Sequence, residues 1–283
     1  MIRLEARPYR EKRLSELKAD VVKCTSALGR KPKLRVVMVG DHTASAIYVA
    51  NKEKMAAEIG MDAATVKFPE TAAPEEVARA VAELNADPSV DGILIQRPLP
   101  KSFKEEDVLL WVHPSKDVDA FHPETVGRMS LGLPGFLPCT PAGCLKLVDF
   151  YGYDLAGKIA CVIGRSSIVG KPLAQLLLQR DATVLHCHSR TKDLASITRQ
   201  ADFLFVAIGK PEFVRAEHVK PGAVVIDVGI GKNAANKTVG DVAYDDAAKV
   251  AGAITPVPGG IGPMTILGLL ENTLAGANAK IKP

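Results

Sequence analysis

Tyr48 and Lys52 stand four residues apart with Ser45 one turn earlier, and together they are the clearest set of proton-moving groups in the sequence. Spacings of i, i+3 and i+7 put all three on one face of any helix that contains them. A phenol beside an ammonium can donate and accept a proton near a bound substrate. A second stretch, Ile159-Ala-Cys-Val-Ile-Gly-Arg-Ser-Ser-Ile-Val-Gly-Lys-Pro172, reads as apolar strand, tight turn and helix start in direct succession. That order of elements can cradle a pyrophosphate, with the first amides of the helix expected to offer unpaired N–H groups and the positive end of the dipole.

The glycine pattern departs from G-x-G-x-x-G, because Ser166 takes the place of the middle glycine and Gly170 comes one residue late. The next strand, residues 182–187, ends in His188-Ser-Arg-Thr191 with no carboxylate to hold a ribose 2′-hydroxyl. Ser189, Arg190 and Arg165 suit a 2′-phosphate instead, which predicts NADP as cofactor. A Tyr four residues before a Lys also occurs in short-chain dehydrogenases, but there the pair follows the nucleotide fold. Here it precedes the glycine turn by more than a hundred positions, which argues against that arrangement.

The elements that must position these groups alternate. Helical spacing over 9–29 is followed by strands at 34–39, 63–68 and 90–95, with helices at 43–59 and 74–84 between them. Residues 101–139 are irregular and rich in turn chemistry. A helix is expected from Thr140 towards Tyr151, then strands at 158–163, 182–187, 203–208 and 223–228, and a last helix over 264–274. Alternation of this kind predicts parallel sheets with right-handed crossovers. The expected architecture is two α/β lobes with a cleft between them, the second a Rossmann-type NADP-binding domain. The boundaries are 1–139, with a C-terminal helix 265–283 returning to that lobe, and 140–264.

Composition narrows the class. The chain has 283 residues, 47% of them hydrophobic, and Lys+Arg 36 against Asp+Glu 32, a balance too even for a nucleic-acid binder. The start Met-Ile-Arg-Leu-Glu-Ala-Arg has no apolar signal core and no apolar run is long enough for a bilayer, so a cytoplasmic protein without a membrane segment is expected. Cys24, Cys139, Cys144, Cys161 and Cys187 show neither metal-ligand nor secreted spacing, and are read as buried free thiols with no metal and no disulfide.

Six blocks in order carry a resemblance along nearly the whole chain: Ser45-Ala-Ile-Tyr-Val-Ala-Asn-Lys52, Asp91-Gly-Ile-Leu-Ile-Gln-Arg-Pro-Leu-Pro100, Lys116-Asp-Val-Asp119, Pro138-Cys-Thr-Pro141, Gly164-Arg-Ser-Ser-Ile-Val-Gly170 and Thr255-Pro-Val-Pro-Gly-Gly-Ile-Gly-Pro-Met-Thr265. The sequence resembles the bifunctional methylenetetrahydrofolate dehydrogenase/cyclohydrolase family. That resemblance implies NADP-dependent oxidation of 5,10-methylenetetrahydrofolate, hydrolysis of the methenyl product to 10-formyltetrahydrofolate, and a homodimer. It makes Lys52 the catalytic lysine, Gln96 its hydrogen-bonding partner, Tyr48 the ring stacked on the folate and Asp119 the carboxylate holding the pterin. Ser45, Pro258, Gly259 and Gly260 fall in the substrate segments, and Gly164, Arg165, Ser166, Ser189, Arg190 and Ile230 in the cofactor segments. Arg97, Ala120 and Thr125 depart from the family pattern, replacing an apolar residue, a glycine and an asparagine. Two competing readings are another two-lobed NADP-dependent reductase, acting on a shikimate-like acid, and a nucleotide-sensing protein without catalysis. Neither requires Tyr48, Lys52, Gln96 and Asp119 together.

Overall fold

The computed structural model describes residues 1–40 and 43–281, and the side chains of residues 43–48 are not among what it describes. The chain divides into two compact units, Lys12–Leu137 with Leu269–Pro283, and Met1–Glu11 with Pro138–Gly268. Its elements open with β1 (Ile2–Arg3) and α1 (Ala6–Leu28).

The first of these units is built on β2 (Lys33–Val39), α2 (Thr43–Glu58), β3 (Asp62–Phe68), α3 (Pro74–Ala86) and β4 (Gly92–Ile95), followed by α4 (Glu105–Val108) and α5 (Pro123–Ser130). Its three strands lie in the order β3-β2-β4, all parallel, with Leu34 opposite Ala63 on one side and Gly92 on the other. β2 is central because Val36, Val37, Met38 and Val39 are apolar in succession, as a strand covered on both faces must be. Val77 and Val81, one helical turn apart on α3, bury against Val37, Ile93 and Ile95. Gly92 admits no side chain: a Cβ there would fall 2.6 Å from Val118 Cγ1. Beside it the buried Asp91 accepts from both guanidinium nitrogens of Arg30, at 2.7 and 2.8 Å, from Lys280 Nζ at 2.8 Å and from the Lys33 amide at 2.8 Å. A carboxylate so deep is tolerated only with such pairing.

The other unit continues with α6 (Cys139–Phe150), β5 (Ile159–Ile163), α7 (Gly170–Leu178), β6 (Thr183–Cys187), α8 (Leu194–Thr198), β7 (Phe203–Val206), β8 (Val224–Asp227), the short hairpin β9 (Gly231–Lys232) and β10 (Thr238–Val239), α9 (Tyr244–Ala247), β11 (Ala253–Ile254) and α10 (Ile261–Asn278). Six strands form one parallel sheet in the order β1-β11-β8-β7-β5-β6. The chain starts the nucleotide-type half at β5, places β6 on one side, and then crosses to place β7, β8 and β11 on the other. The winding therefore reverses between β5 and β7, and ligand crevices in such sheets lie at that point, beyond the carboxyl ends of the strands.

Two differences from the sequence reading concern short elements. Residues 1–11 fall in the six-stranded unit: Ile2 and Arg3 pair with Ala253 and Ile254, and Tyr151 Oη donates to the Glu5 carbonyl at 3.0 Å. Strands of two residues have no periodicity to betray them. The irregular stretch 101–139 carries α4 and α5, the latter capped by His122, whose ring accepts from the Glu124 amide at 3.1 Å. All five cysteines are free and buried. Among the described residues, no helix is long and apolar enough to cross a membrane, and no group of three or more His, Cys, Asp or Glu is placed to hold a metal ion.

Candidate active site

Lys52 lies on α2 with only 9% of its surface exposed, an unusual depth for a lysine, and its ammonium donates to Gln96 Oε1 at 2.8 Å. Gln96 follows directly on β4, and its amide continues the ladder by donating to the Val37 carbonyl at 2.8 Å. Its side-chain Nε2 donates to the Arg97 carbonyl at 2.6 Å, which fixes the carbonyl end of the amide towards Lys52. α2 and the end of β4 thus bring together two residues 44 positions apart. Ser45 and Tyr48 belong to the same helix, but their side chains lie outside the described residues.

Asp119 is half-buried in the same unit. Burial raises its pKa to about 6, against the attraction of Lys52, while the charge of Asp117 pushes it up further and Arg97 draws it down. Asp117 is also raised to about 6 by burial, despite accepting from the His122 amide at 2.7 Å and from Thr125. It was not among the residues singled out from sequence, although it stands in the same Lys116-Asp-Val-Asp119 block. Lys116 is a structural tie: its buried ammonium donates to the carbonyls of Leu84, Asn85 and Asp87 at 3.0, 2.8 and 2.6 Å.

Two of the three unusual positions acquire a local explanation, and nothing in the structure explains the alanine at 120. The Arg97 guanidinium lies 5.7 Å from the centre of the Phe121 ring and pairs with Glu105. Thr125 hydrogen-bonds the Asp117 carboxyl. Ala120 is fully buried at φ +61°, a left-handed conformation that favours glycine.

In the six-stranded unit Gly164 follows β5 at φ +123°, and a Cβ there would fall 2.1 Å from the Ala207 carbonyl oxygen, just past β7. At Gly170 a Cβ would fall 2.0 Å from the Gly164 carbonyl oxygen. His186 Nε2 also lies 2.7 Å from the Gly164 carbonyl. The turn is therefore packed from three sides and has no room for any residue but glycine at either end. One expectation needs correction. The amides at the start of α7 are not left open: Val169 and Gly170 donate to Ser166 Oγ, each at 3.2 Å, and Lys171 donates to the Ser166 carbonyl at 3.0 Å. Ser166 caps the helix from within the turn, a hydroxyl doing for these amides what the longer glycine spacing leaves undone. Its hydroxyl proton stays available to an anion.

Arg165 and Ser166 after β5, and Ser189 and Arg190 after β6, are exposed at the carboxyl ends of neighbouring strands. Two guanidiniums and two hydroxyls without a carboxylate among them form a donor set that fits the phosphates of a dinucleotide. Ile230, 54% exposed, follows β8 on the same edge of the sheet. Pro258 and Gly259 are exposed and Gly260 is buried, ahead of α10; Gly259 has φ +109°, and a Cβ at Gly260 would lie 2.6 Å from the Pro256 carbonyl oxygen.

A doubly wound sheet with a glycine turn at its switch point, joined to a parallel α/β unit carrying a buried lysine, defines a dinucleotide-dependent oxidoreductase with an acid–base site. Residues 4–119 match the catalytic domain, and residues 138–281 the NAD(P)-binding domain, of tetrahydrofolate dehydrogenase/cyclohydrolase. The chain belongs to the tetrahydrofolate dehydrogenase/cyclohydrolase family. It is 52% identical to a bifunctional protein FolD of Geobacillus thermodenitrificans, over 92% of this chain and 91% of that one. Among solved structures it is similar to the bifunctional FolD methylenetetrahydrofolate dehydrogenase/cyclohydrolase of Campylobacter jejuni, with a TM-score of 0.96, 44% identity and 99% of each chain covered. The FolD of Trypanosoma brucei, solved with NADP cofactor and inhibitor, aligns with a TM-score of 0.94 at 35% identity, over 100% of this chain and 99% of that one.

Proposed function

We propose that the protein oxidises 5,10-methylenetetrahydrofolate to the methenyl form with NADP, and hydrolyses that product to 10-formyltetrahydrofolate. The observation that carries the reading is the buried Lys52 ammonium aimed by Gln96, with the Asp119 carboxyl in its field. Tyr48 and Ser45 share the Lys52 face of α2 by spacing and are assigned to substrate contact, with Pro258, Gly259 and Gly260. Asp119 is assigned to the polar edge of the pterin. Gly164, Arg165, Ser166, Ser189, Arg190 and Ile230 would hold NADP, which when bound supplies the hydride acceptor.

Hydride loss needs little acid–base help, since the nitrogen lone pairs flanking the one-carbon unit drive it and positioning does most of the work. Hydrolysis is different. Water adds to the cationic methenyl carbon and must lose a proton, and the ring carbon–nitrogen bond that then breaks must gain one. Lys52 can take the first proton as an amine and return it as an ammonium. A positive substrate beside it favours the amine, and Asp119 favours the ammonium, so the two charges oppose each other across the lysine. Gln96 orients the nitrogen without adding charge.

The domain roles follow the same reading: the unit of residues 12–137 and 269–283 for folate, and the six-stranded unit for NADP. The product suits one-carbon metabolism and purine biosynthesis in the cytoplasm. β6, an edge strand of five residues without Pro or Lys, is the element that favours a homodimer. Purified protein given methylenetetrahydrofolate and NADP should form NADPH, read by absorbance, and should consume the methenyl compound without NADP. Failure of both reactions overturns the proposal.

A further inference from the structure

Two buried carboxylates outside the lysine site gather the loops at the switch point. Asp227, the last residue of β8, is 3% exposed and Asp241 is 1% exposed. Asp241 Oδ2 accepts from two successive amides, Ile208 at 2.7 Å and Gly209 at 2.9 Å, in the turn after β7. Asp227 Oδ1 accepts from the amides of Gly229, at 2.9 Å, and of Asp241 itself, at 3.0 Å, while Oδ2 accepts from Val242 at 2.9 Å. The Asp227 amide in turn donates to Thr255 Oγ1 at 2.7 Å.

The space around the pair is closed. A Cβ at Gly229 would fall 2.2 Å from the Asp241 carboxyl carbon, and one at Gly240 would fall 1.9 Å from Asp227 Oδ2. Three loops are therefore tied to each other through side chains: 207–209 after β7, 228–230 after β8, and 240–242 after the hairpin. The first abuts the glycine turn, since Ala207 supplies the carbonyl oxygen against which Gly164 is packed. The second carries Ile230. A surface loop of this kind has no intrinsic reason to sink two acids. A carboxylate buried this far needs hydrogen-bond donors, and five backbone amides supply them to the pair.

We infer that Asp241 and Asp227 are positioning residues for the dinucleotide: their side chains clamp the loops beyond β7 and β8 in the shape that receives NADP at the Gly164 turn. The inference rests on the proposed NADP dependence. Asp241 acts by accepting the Ile208 and Gly209 protons, a role that needs an oxygen and not a charge. Asparagine can place its carbonyl oxygen where Oδ2 stands and so keep the acceptor for both amides. Alanine leaves both amides without their acceptor.

The test compares Asp241→Ala with Asp241→Asn in the full-length protein. NADP affinity is measured by calorimetry, KM for NADP by steady-state kinetics, and exchange of the Ile208 and Gly209 amides by hydrogen–deuterium exchange without cofactor. Hydrolysis of the methenyl compound, which consumes no NADP, is followed on the same samples. Asp241→Ala should weaken NADP binding and raise its KM at least tenfold, with those two amides exchanging at least tenfold faster and hydrolysis within a factor of two. Asp241→Asn should stay within threefold of the parent on every readout. If Asp241→Ala loses its cooperative melt, Asp241→Ser, too short to reach both amides, carries the same comparison. Unchanged NADP affinity in Asp241→Ala overturns the inference. So does a parallel loss of hydrolysis and NADP binding, which marks a purely structural role, and so does an asparagine variant as weak as alanine. A parent protein that binds NADP in calorimetry but oxidises no methylenetetrahydrofolate overturns the proposed function instead, and the clamp is still read from affinity and exchange.

Discussion

The Lys52 ammonium and the Gln96 amide meet at 2.8 Å, and the amide cannot rotate away because its other end is held by the Arg97 carbonyl at 2.6 Å. A lysine stem of four flexible carbons is thereby given one direction. The orientation rests on one main-chain group, the Arg97 carbonyl, which holds the Gln96 side chain in the segment leaving β4. Positional precision of this sort is what a proton carrier needs and what a solvent-exposed lysine lacks.

Lys52→Met tests that role. Methionine keeps much of the apolar stem in a site that is only 9% exposed, so the fold should survive. General acid–base catalysis typically supplies on the order of 10²–10⁴-fold, and methenyl hydrolysis should fall by about that factor. Dehydrogenation asks the lysine only for positioning and should fall less. An undiminished hydrolysis rate in the folded variant would remove Lys52 from the mechanism.

Gly164→Ala should be far more damaging than its size suggests. The new methyl carbon would lie 2.1 Å from the Ala207 carbonyl oxygen at a φ of +123°, so the turn must open to admit it. NADP affinity should drop at least tenfold and the melting midpoint should fall, while Gly152→Ala, at φ +75° with nothing within 4 Å, pays only the backbone strain. Equal NADP affinity in the two variants would show that the turn is not the phosphate cradle.

Cofactor choice should reside in the arginines after β5 and β6. Losing one charge-assisted contact to a 2′-phosphate costs roughly 1.5–3 kcal/mol, or about ten- to a hundredfold in affinity. Kinetics of Arg190→Ala and Arg165→Ala with NADP and with NAD would show which guanidinium matters. If neither substitution changes the NADP to NAD ratio, the phosphate sits elsewhere.

The edge strand β6 carries the oligomer prediction. Its Val184 and Leu185 are half-buried within the chain and its outer main-chain groups face no strand of the sheet. A second copy can cover that edge. Sedimentation at micromolar concentration should give a dimer, and a monomer there would sink the idea.

How much of this was legible in the sequence depended on where each interaction has its partner. β2, β5, β7 and β8 could be read because unbroken apolar runs mark strands covered on both faces, and Lys52 because helical spacing ties it to Tyr48. Gln96 lies just beyond the end of β4 and Asp119 in the irregular stretch between α4 and α5, where no periodicity reaches, and only the resemblance singled them out. β1, β11 and the β9–β10 hairpin are two residues per strand, too short for any pattern. Asp227 and Asp241 could not be found at all. Their partners are backbone amides, which every residue possesses, and the Ile208 amide lies 33 positions from Asp241. Ser166 reads from sequence as a phosphate contact, but that its oxygen also accepts from the Val169 and Gly170 amides is not legible there, because those partners are backbone groups.

The buried acids also fix the direction of the stability profile. Burial raises Asp117 and Asp119 to about 6 and Asp227 to about 7, against about 4 in an unfolded chain. Through these three groups the folded state binds more protons than the unfolded one between about pH 4 and pH 7. Their contribution to stability declines as pH rises through that window. Below it the order reverses. Asp62 is held low by its hydrogen bond to Arg35, and Asp91 is held low by Arg30 and Lys280 in spite of its burial, so further acid removes the pairing that stabilises the fold. The thermal midpoint should accordingly be higher at pH 5 than at pH 7.5, and Asp227→Asn, which cannot ionise, should narrow that difference. A midpoint higher at pH 7.5, or a variant with the same pH dependence as the parent, would mean that these carboxyls titrate normally and that water reaches them in solution.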